Sequence, residues 1–182
     1  KIDVTKKLEK IATDYLKNID NKKSYSAPEI GYTFKNKQEL LYAILHTGNE
    51  SNYEKLLIGG RGNENPWGYL NADETLNDSQ FKGMIDRMIR EGSLTRDDFM
   101  FAQSIWDLNE QLKPDAQKAH KRIYGFFFNE ITAKEFTNDL GTFRGGYVPA
   151  IADADLTVDQ TAREDKNMLE GFNNSYVFPT TG

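Results

Sequence analysis

The stretch from Thr95 to Pro114 is the feature of the sequence that most constrains the fold. Thr95 is a typical helix N-cap residue, and Asp98 follows three positions later in an acidic variant of the capping box. Apolar side chains then recur at helical spacing and form a wide stripe: Phe99, Ala102, Ile105, Trp106, Leu108 and Leu112. We expect Pro114 to end this helix, because proline lacks the backbone N–H that a helix interior requires.

This helix carries too much apolar surface to lie on the outside of the molecule. Burial of such surface contributes about 25 cal/mol per Å², so neighbouring helices are needed to cover it. The sequence therefore predicts a helical domain with residues 95–114 at its centre. None of the residues in the stripe is suited to chemistry.

Similar patterns predict further helices on both sides. Asn36 and Asn49 are N-cap candidates, and Asn77 with Gln80 forms another capping box. The predicted helices cover residues 2–19, 36–45, 49–57, 77–91, 95–114 and 114–130, with a more polar one at 157–171. Around Gly31–Phe34 a short extended piece is expected, and Trp67 and Tyr69 are expected to hold the long loop 59–76 against the body.

The predicted fold is mainly α, an irregular bundle of about six helices with a short extended or hairpin segment near residues 131–152. In that segment the apolar residues are spaced irregularly among glycines, which is not a helical pattern. We divide the chain into an N-terminal helix and connector (1–35), a helical core domain (36–152), and a C-terminal helix and extended tail (153–182).

Composition excludes several classes of function. The chain has 182 residues, a net charge of −5 and no cysteine, which excludes disulfides, thiolate catalysis and cysteine-based zinc sites. The negative charge gives the whole molecule no general attraction to nucleic acid or anionic lipid. Charge is uneven, because residues 1–23 hold seven lysines against four acids and residues 150–182 hold six acids against two cations. No run is apolar enough to span a membrane, and no signal peptide is recognisable.

Candidates for catalysis and metal binding are few. His46 and His120 are the two histidines; their spacing gives no metal pair, and we expect His46 to bond locally at a helix end and His120 to be exposed. Arg61 lies in the glycine-rich segment 59–62, whose composition is compatible with a phosphate-binding loop or with a flexible turn. Asp153 and Asp155 lack the rest of a calcium loop. We therefore predict no catalytic residue, metal or cofactor.

Two stretches, 46–52 and 141–149, have compositions that are unusual for a simple loop and are candidates for a polar joint or a binding site. In the first, Asn49 and Asn52 stand beside His46 at a helix junction and are typical of a buried polar joint. The second reads Gly-Thr-Phe-Arg-Gly-Gly-Tyr-Val-Pro and favours either a tight turn, with Arg144 paired to an acid, or a small anion-binding concavity. The candidate binding residues are His46, Asn49, Asn52, Arg61, Arg144 and Tyr147.

The order of these motifs resembles a region of the large polyvalent proteins of phages, prophages and conjugative elements. The likeness covers residues 37–182 and rests on 46–57, on Phe99 through Leu108, on 143–149 followed by Asp153, and on the tail 174–182. Proteins of that family string enzymatic modules between helical segments and are thought to travel with mobile DNA, which some similar proteins protect. The resemblance implies a module of a longer chain and supplies no mechanism.

From this we expect a non-catalytic structural or protein-interaction module of a large multidomain phage or mobile-element protein. Its partners would be other domains of the same chain, a virion or host protein, or a second copy, and no membrane; its location would be the host bacterial cytoplasm or the virion interior. The alternative is a nucleic-acid-binding module whose cations contact phosphates: Lys6, Lys7, Lys10, Arg61, Lys121, Arg122 and Arg144. A third hypothesis is a hydrolase that uses His46 with an acidic residue.

Overall fold

The computed structural model describes residues 2–59 and 65–148, and over these residues the chain is mainly helical. Five α-helices are present in this part of the chain: α1 Ile2–Lys17, α2 Lys37–Leu45, α3 Glu50–Glu54, α4 Ser79–Glu91 and α5 Arg96–Tyr124. Two antiparallel hairpins lie between helices, β1 Tyr25–Ala27 with β2 Tyr32–Phe34 and β3 Tyr69–Leu70 with β4 Leu76–Asn77. A third, β5 Phe136–Asn138 with β6 Gly141–Phe143, follows α5. The expected mainly α fold is thus confirmed in its coarse form.

Three helix starts follow the predicted capping. The side chains of Asn36 and Asn49 accept hydrogen bonds from the backbone amides three residues later, and they satisfy donors that have no partner within the helix. Thr95 and Asp98 form the complete reciprocal capping box at the start of α5.

The prediction that Pro114 ends the central helix is wrong. Helix α5 continues through Pro114 to Tyr124, so one helix of 29 residues replaces the two that were expected. Pro114 and Glu110 are both exposed, so the pyrrolidine ring meets no packed neighbour and the Glu110 carbonyl, which loses its intrahelical donor, faces water. Gly125 ends the helix in the left-handed conformation, with φ of 84°.

The structure corrects three further local predictions. Residues 126–130 are not helical, because the helix has already ended at Gly125. Helix α4 begins at Ser79 without a capping box; the Asn77 side chain instead accepts from the Ser79 amide and hydroxyl. Trp67 is buried and contacts the core as expected, whereas Tyr69 is exposed on β3 and does not.

The expected extended segments are found as hairpins. Within the connector 20–35, β1 pairs with β2 through a 3-10 turn at Pro28–Ile30, and Tyr25 lies opposite Phe34. Near the end of the described chain, β5 pairs with β6, which confirms the hairpin expected within 131–152. The predicted helix 157–171 and the tail lie outside the described residues, as do Arg61, Asp153 and Asp155.

The hydrophobic core surrounds α5, as the sequence predicts. Trp106 and Ile105 are fully buried, and Phe99 is almost fully buried. Other elements supply the remaining large side chains of the core, among them Phe34, Leu40, Ile44, Leu57, Phe81 and Met84. The central helix is therefore solvent-excluded along the face that the apolar stripe marks.

A buried ionic group connects three helices. The carboxylate of Asp98 in α5 accepts from Lys37 Nζ of α2 at 2.7 Å and from the hydroxyl of Tyr15 in α1. Lys37 and Asp98 are 8% and 2% exposed, so this pair is shielded from water. Burial, reinforced by the hydrogen bond to Asp98, raises the pKa of Tyr15 well above its usual range. The capping residue of α5 thus also fixes α1 and α2.

Candidate functional site

The two particular stretches of the sequence meet in the structure. The backbone of residues 144–148 lies against the junction 46–52. Trp106 of α5 contacts both segments, and Gln103 of α5 contacts 144–148; we call these residues together the clasp. Its main-chain contact is at Gly48, whose carbonyl accepts from the amides of Gly146 and Lys134, each at 2.8 Å. An isolated antiparallel bridge between Asn49 and Ala133 continues this pairing.

Asn49 and Asn52 fix the clasp from the α3 side. Both are buried, with 0% and 1% of their surface exposed. The Asn49 side chain accepts from the Asn52 amide at 2.8 Å and donates to the Gly146 carbonyl at 3.1 Å. Asn52 Nδ2 donates to the Val148 carbonyl at 2.7 Å. The amide groups thus serve as connectors between distant parts of the backbone.

Gln103 fixes the same segment from the α5 side. Its Oε1 accepts from the amides of Arg144 and Gly145, at 2.9 and 3.2 Å. Its Nε2 donates to the Gly145 carbonyl and to Asp107 Oδ1. Sequence reasoning missed this residue, although a glutamine one turn beyond Phe99 in a helix that must be buried is a signal of a buried polar contact.

Trp106 and two glycines form the centre of the clasp. The indole is fully buried and its Nε1 donates to the Leu45 carbonyl at 3.0 Å. A Cβ atom on Gly48 would lie 2.6 Å from both Trp106 Cε2 and the Gly146 carbonyl oxygen, closer than packed atoms approach. Gly146 has φ of 158° and lies directly against the Trp106 side chain. Glycine is required here because backbone and indole are in contact.

His46 lies at the end of α2, where the local hydrogen bond expected from the sequence is confirmed. Its Nδ1 is 2.8 Å from the Tyr42 carbonyl, and its ring centroid is 5.2 Å from that of Tyr42. The side chain is 9% exposed. The contacts described for His46 are thus typical of a helix-end histidine.

His120 is buried, which contradicts the predicted exposure. It is 6% exposed, its Nδ1 lies 2.7 Å from the Phe126 carbonyl, and aromatic rings surround it. The chain turns back at Gly125 and covers it, a tertiary effect that helical spacing does not show. His120 lies fourteen residues beyond Trp106 on α5, about 21 Å along the axis, so it is not part of the clasp.

Arg144 and Tyr147 contribute to the clasp mainly through their backbone. The Arg144 side chain is 73% exposed and forms an ion pair with Asp107 at 2.8 Å, the acid pairing that the sequence suggested. The Tyr147 carbonyl accepts from Asn109 Nδ2, and burial raises the pKa of the Tyr147 hydroxyl. The structure therefore brings His46, Asn49, Asn52, Arg144 and Tyr147 into one region.

Beside the clasp is a shallow depression of about 180 Å³. Its two cations are Arg96 and Arg144; Arg96 donates to the Leu140 carbonyl at 3.2 Å, and Arg144 is paired with Asp107. Both guanidinium groups are thus engaged in holding β6 and its neighbourhood to α5. The depression has room for a small anion, and its walls are mostly committed to internal contacts.

Hydrogen bonds between distant backbone segments are the main contacts of the clasp. Amide side chains and backbone carbonyls dominate the clasp, and neither type serves readily as an acid, base or nucleophile. Over residues 2–59 and 65–148, no group of three or more histidine and acidic side chains is arranged to hold a metal ion. Nor does any helix of that part of the chain combine the length and hydropathy needed to cross a bilayer.

No protein-family profile, curated protein or solved structure matches the chain. The resemblance to phage polyvalent proteins consequently depends on the order of motifs alone and stays a prediction. Within the described residues, the clasp brings together parts of three of the stretches on which the likeness rests: 46–57, Phe99–Leu108 and 143–149.

Proposed function

We propose that this chain is a non-catalytic structural or protein-interaction module of a large multidomain protein of a phage or mobile element. One observation carries the proposal: buried polar side chains, two of them singled out in the sequence, join separate backbone segments. Asn49, Asn52 and Gln103 are each nine-tenths or more buried and bonded to the main chain of residues 144–148. Polar groups used in this way are expected in a rigid scaffold, because they hold distant backbone segments together.

The phage context of the proposal has separate support. It comes from the order of motifs over residues 37–182. In this view the module would hold neighbouring domains of the same chain, a virion or host protein, or a second copy. The neighbouring modules of the parent chain would provide a direct test of this context.

Activity measurements test the non-catalytic part of the proposal. We expect no turnover of nuclease, peptidase, esterase or phosphatase substrates by the purified chain. The control is His46→Ala, which removes the one imidazole of the clasp. Turnover by the purified, unsubstituted chain would contradict the proposal. If His46→Ala abolishes that turnover while the variant stays folded, the result would also support the hydrolase hypothesis. Light scattering in the same buffers would determine whether a second copy is a partner.

Nucleic-acid binding is the second candidate function, and one observation favours it. Residues 117–129 contain three cations, Lys118, Lys121 and Arg122, and no carboxylate, although the whole chain has a net charge of −5. Exposed aromatic rings lie in the same segment, and such rings stack with bases in single-stranded complexes. Titration of a labelled 20-nucleotide oligothymidine at 50 and 200 mM salt tests it. Binding should weaken steeply with salt, and no binding at 50 mM would exclude it.

A further inference from the structure

The end of α5 displays an unusual group of exposed apolar side chains. Ile123, Tyr124, Phe126 and Phe127 have 70, 62, 61 and 53% of their surface exposed. We call these four residues, with Lys118, Lys121 and Arg122, the aromatic-basic surface. Complete burial of a large apolar side chain contributes about 1.5–3 kcal/mol, so four such residues together indicate a surface that something covers.

Polar contacts hold this surface in one conformation. His120 Nδ1 lies 2.7 Å from the Phe126 carbonyl. Gln117 binds Phe128 twice: its Nε2 donates to the carbonyl at 2.9 Å and its Oε1 accepts from the amide at 2.8 Å. With Gly125 in the left-handed conformation, these bonds fix the turn that directs the rings outward. A pre-organised apolar surface is typical of a docking site, because little conformational entropy is lost on binding.

The charge of this surface limits what can cover it. Its three cations have no carboxylate within residues 117–129, and Lys121 Nζ lies 4.6 Å from the centre of the Phe127 ring. Two copies of the same surface would bring six cations together, which disfavours symmetric self-association. An occupant that is acidic and apolar is complementary.

The chain contains such an occupant. Residues 150–182 carry six acidic and two basic side chains, a net charge of −4. The same segment holds apolar side chains that could cover the exposed rings: Leu156, Val158, Met168, Leu169, Phe172, Tyr176 and Phe178. We propose that residues 150–182 bind to the aromatic-basic surface of the same molecule.

The course of the described chain supports this assignment. Gly145 is bonded to Gln103 and Tyr147 to Asn109, so the segment runs along α5 toward its C-terminal end. From Asn109 to Tyr124 the helix measures about 22 Å at 1.5 Å per residue. About seven extended residues span that distance. Most of residues 150–182 can therefore reach the surface.

This inference is independent of the proposed structural module, because an intramolecular contact is compatible with that role. The nucleic-acid candidate uses the same surface, so the experiments below also distinguish these two occupants. Zero-length carbodiimide cross-linking of the full chain, followed by peptide mass spectrometry, tests the contact directly. We expect links between Lys118 or Lys121 and the acidic residues of 153–170. Mixing isotope-labelled and unlabelled chains distinguishes the source: links between differently labelled copies would overturn the intramolecular assignment.

Limited proteolysis of the full chain provides the second measurement. Trypsin should cut after Arg163 and Lys166 at least tenfold more slowly in the intact chain than in a synthetic 150–182 peptide. The double variant Phe126→Ser/Phe127→Ser should remove this protection. The matched control is Tyr69→Ser/Leu70→Ser, which alters two residues of similar exposure on the β3–β4 hairpin and should not.

Two results would overturn the proposal. One is equal cleavage rates in the intact chain and in the peptide. The other is an unprotected segment together with oligothymidine binding that Phe126→Ser/Phe127→Ser abolishes, which would assign the surface to nucleic acid.

Discussion

Glycine at position 48 determines how closely the backbone approaches Trp106. A methyl group there would lie 2.6 Å from the indole and from the Gly146 carbonyl, and both are fixed by burial and hydrogen bonds. The adjacent buried amides of Asn49 and Asn52 allow little movement. A small change at this residue should therefore affect the whole clasp.

We predict that Gly48→Ala destabilises the protein by about 2–4 kcal/mol, because overpacking forces the indole or the 144–148 backbone to move. Urea unfolding followed by tryptophan fluorescence measures the change. Gly83→Ala is the control: Gly83 lies in α4 with open space around it, and alanine there should stabilise by about 0.5–1 kcal/mol. Equal effects of the two substitutions would contradict the close approach at Gly48.

Local rules predicted several of these residues well and failed at others for a common reason. Asn36, Asn49 and Thr95 were recognisable as caps because a cap depends only on the next three residues. Gln103 and His120 were not recognised, because their partners, Gly145 and Phe126, reach them through tertiary structure. The stretches 46–52 and 141–149 were both singled out in the sequence, but their contact with each other was not predicted.

At the level of whole elements, α5 shows how tertiary context changes a strong local signal. The sequence predicted one helix before Pro114 and another after it, since proline usually interrupts a helix. The ring is tolerated because it lies on the exposed side, and residues on both sides of it, Leu112 and His120, are buried in packed surroundings. Packing thus offsets the lost hydrogen bond.

We predict that Pro114→Ala stabilises the protein, by up to about 3 kcal/mol, because alanine restores a donor for the Glu110 carbonyl and is a far better helix former. Thermal unfolding measured by circular dichroism tests this. A substitution at a true helix boundary would have little effect, so an unchanged or lowered stability would indicate that α5 is interrupted at this point.

The buried group of Asp98, Lys37 and Tyr15 makes three helices interdependent. We predict that Asp98→Asn costs about 3–5 kcal/mol, since it leaves the buried Lys37 ammonium without its charged partner. Adding Lys37→Met should recover part of the loss. Asp14→Asn, which breaks the exposed Lys10–Asp14 pair, is the control and should change stability by less than about 1 kcal/mol. Similar losses from the two pairs would contradict the buried assignment.

Across the whole molecule, two tyrosines in different parts of the core should make stability depend on alkaline pH. Burial, together with hydrogen bonds to Asp98 and Asp78, raises the pKa of Tyr15 and of Tyr53 well above the ordinary 10.0. The native state keeps these protons at a pH where the unfolded chain releases them. The unfolded state then binds fewer protons, so stability must fall as pH rises above about 10.

We predict a fall in the free energy of unfolding between pH 10 and 11 that Tyr53→Phe makes shallower, by up to about 1.4 kcal/mol per pH unit. Urea unfolding at several pH values measures the slope. Tyr69→Phe, which removes the hydroxyl of an exposed ring, is the control substitution. A slope that Tyr53→Phe does not alter would mean that the Tyr53 hydroxyl titrates freely in the native state.

The clasp also has a consequence for how the chain is made. The Asn49 side chain binds the Gly146 carbonyl across 97 positions, and Asn52 binds Val148 across 96. During synthesis the Nδ2 groups of these two side chains have no native acceptor until residues 146–148 have left the ribosome, and pairings of such long range form slowly. A nascent chain stalled before Gly145 therefore lacks the bonds that close the native core, so this module can complete its fold only after residues 146–148 have been made.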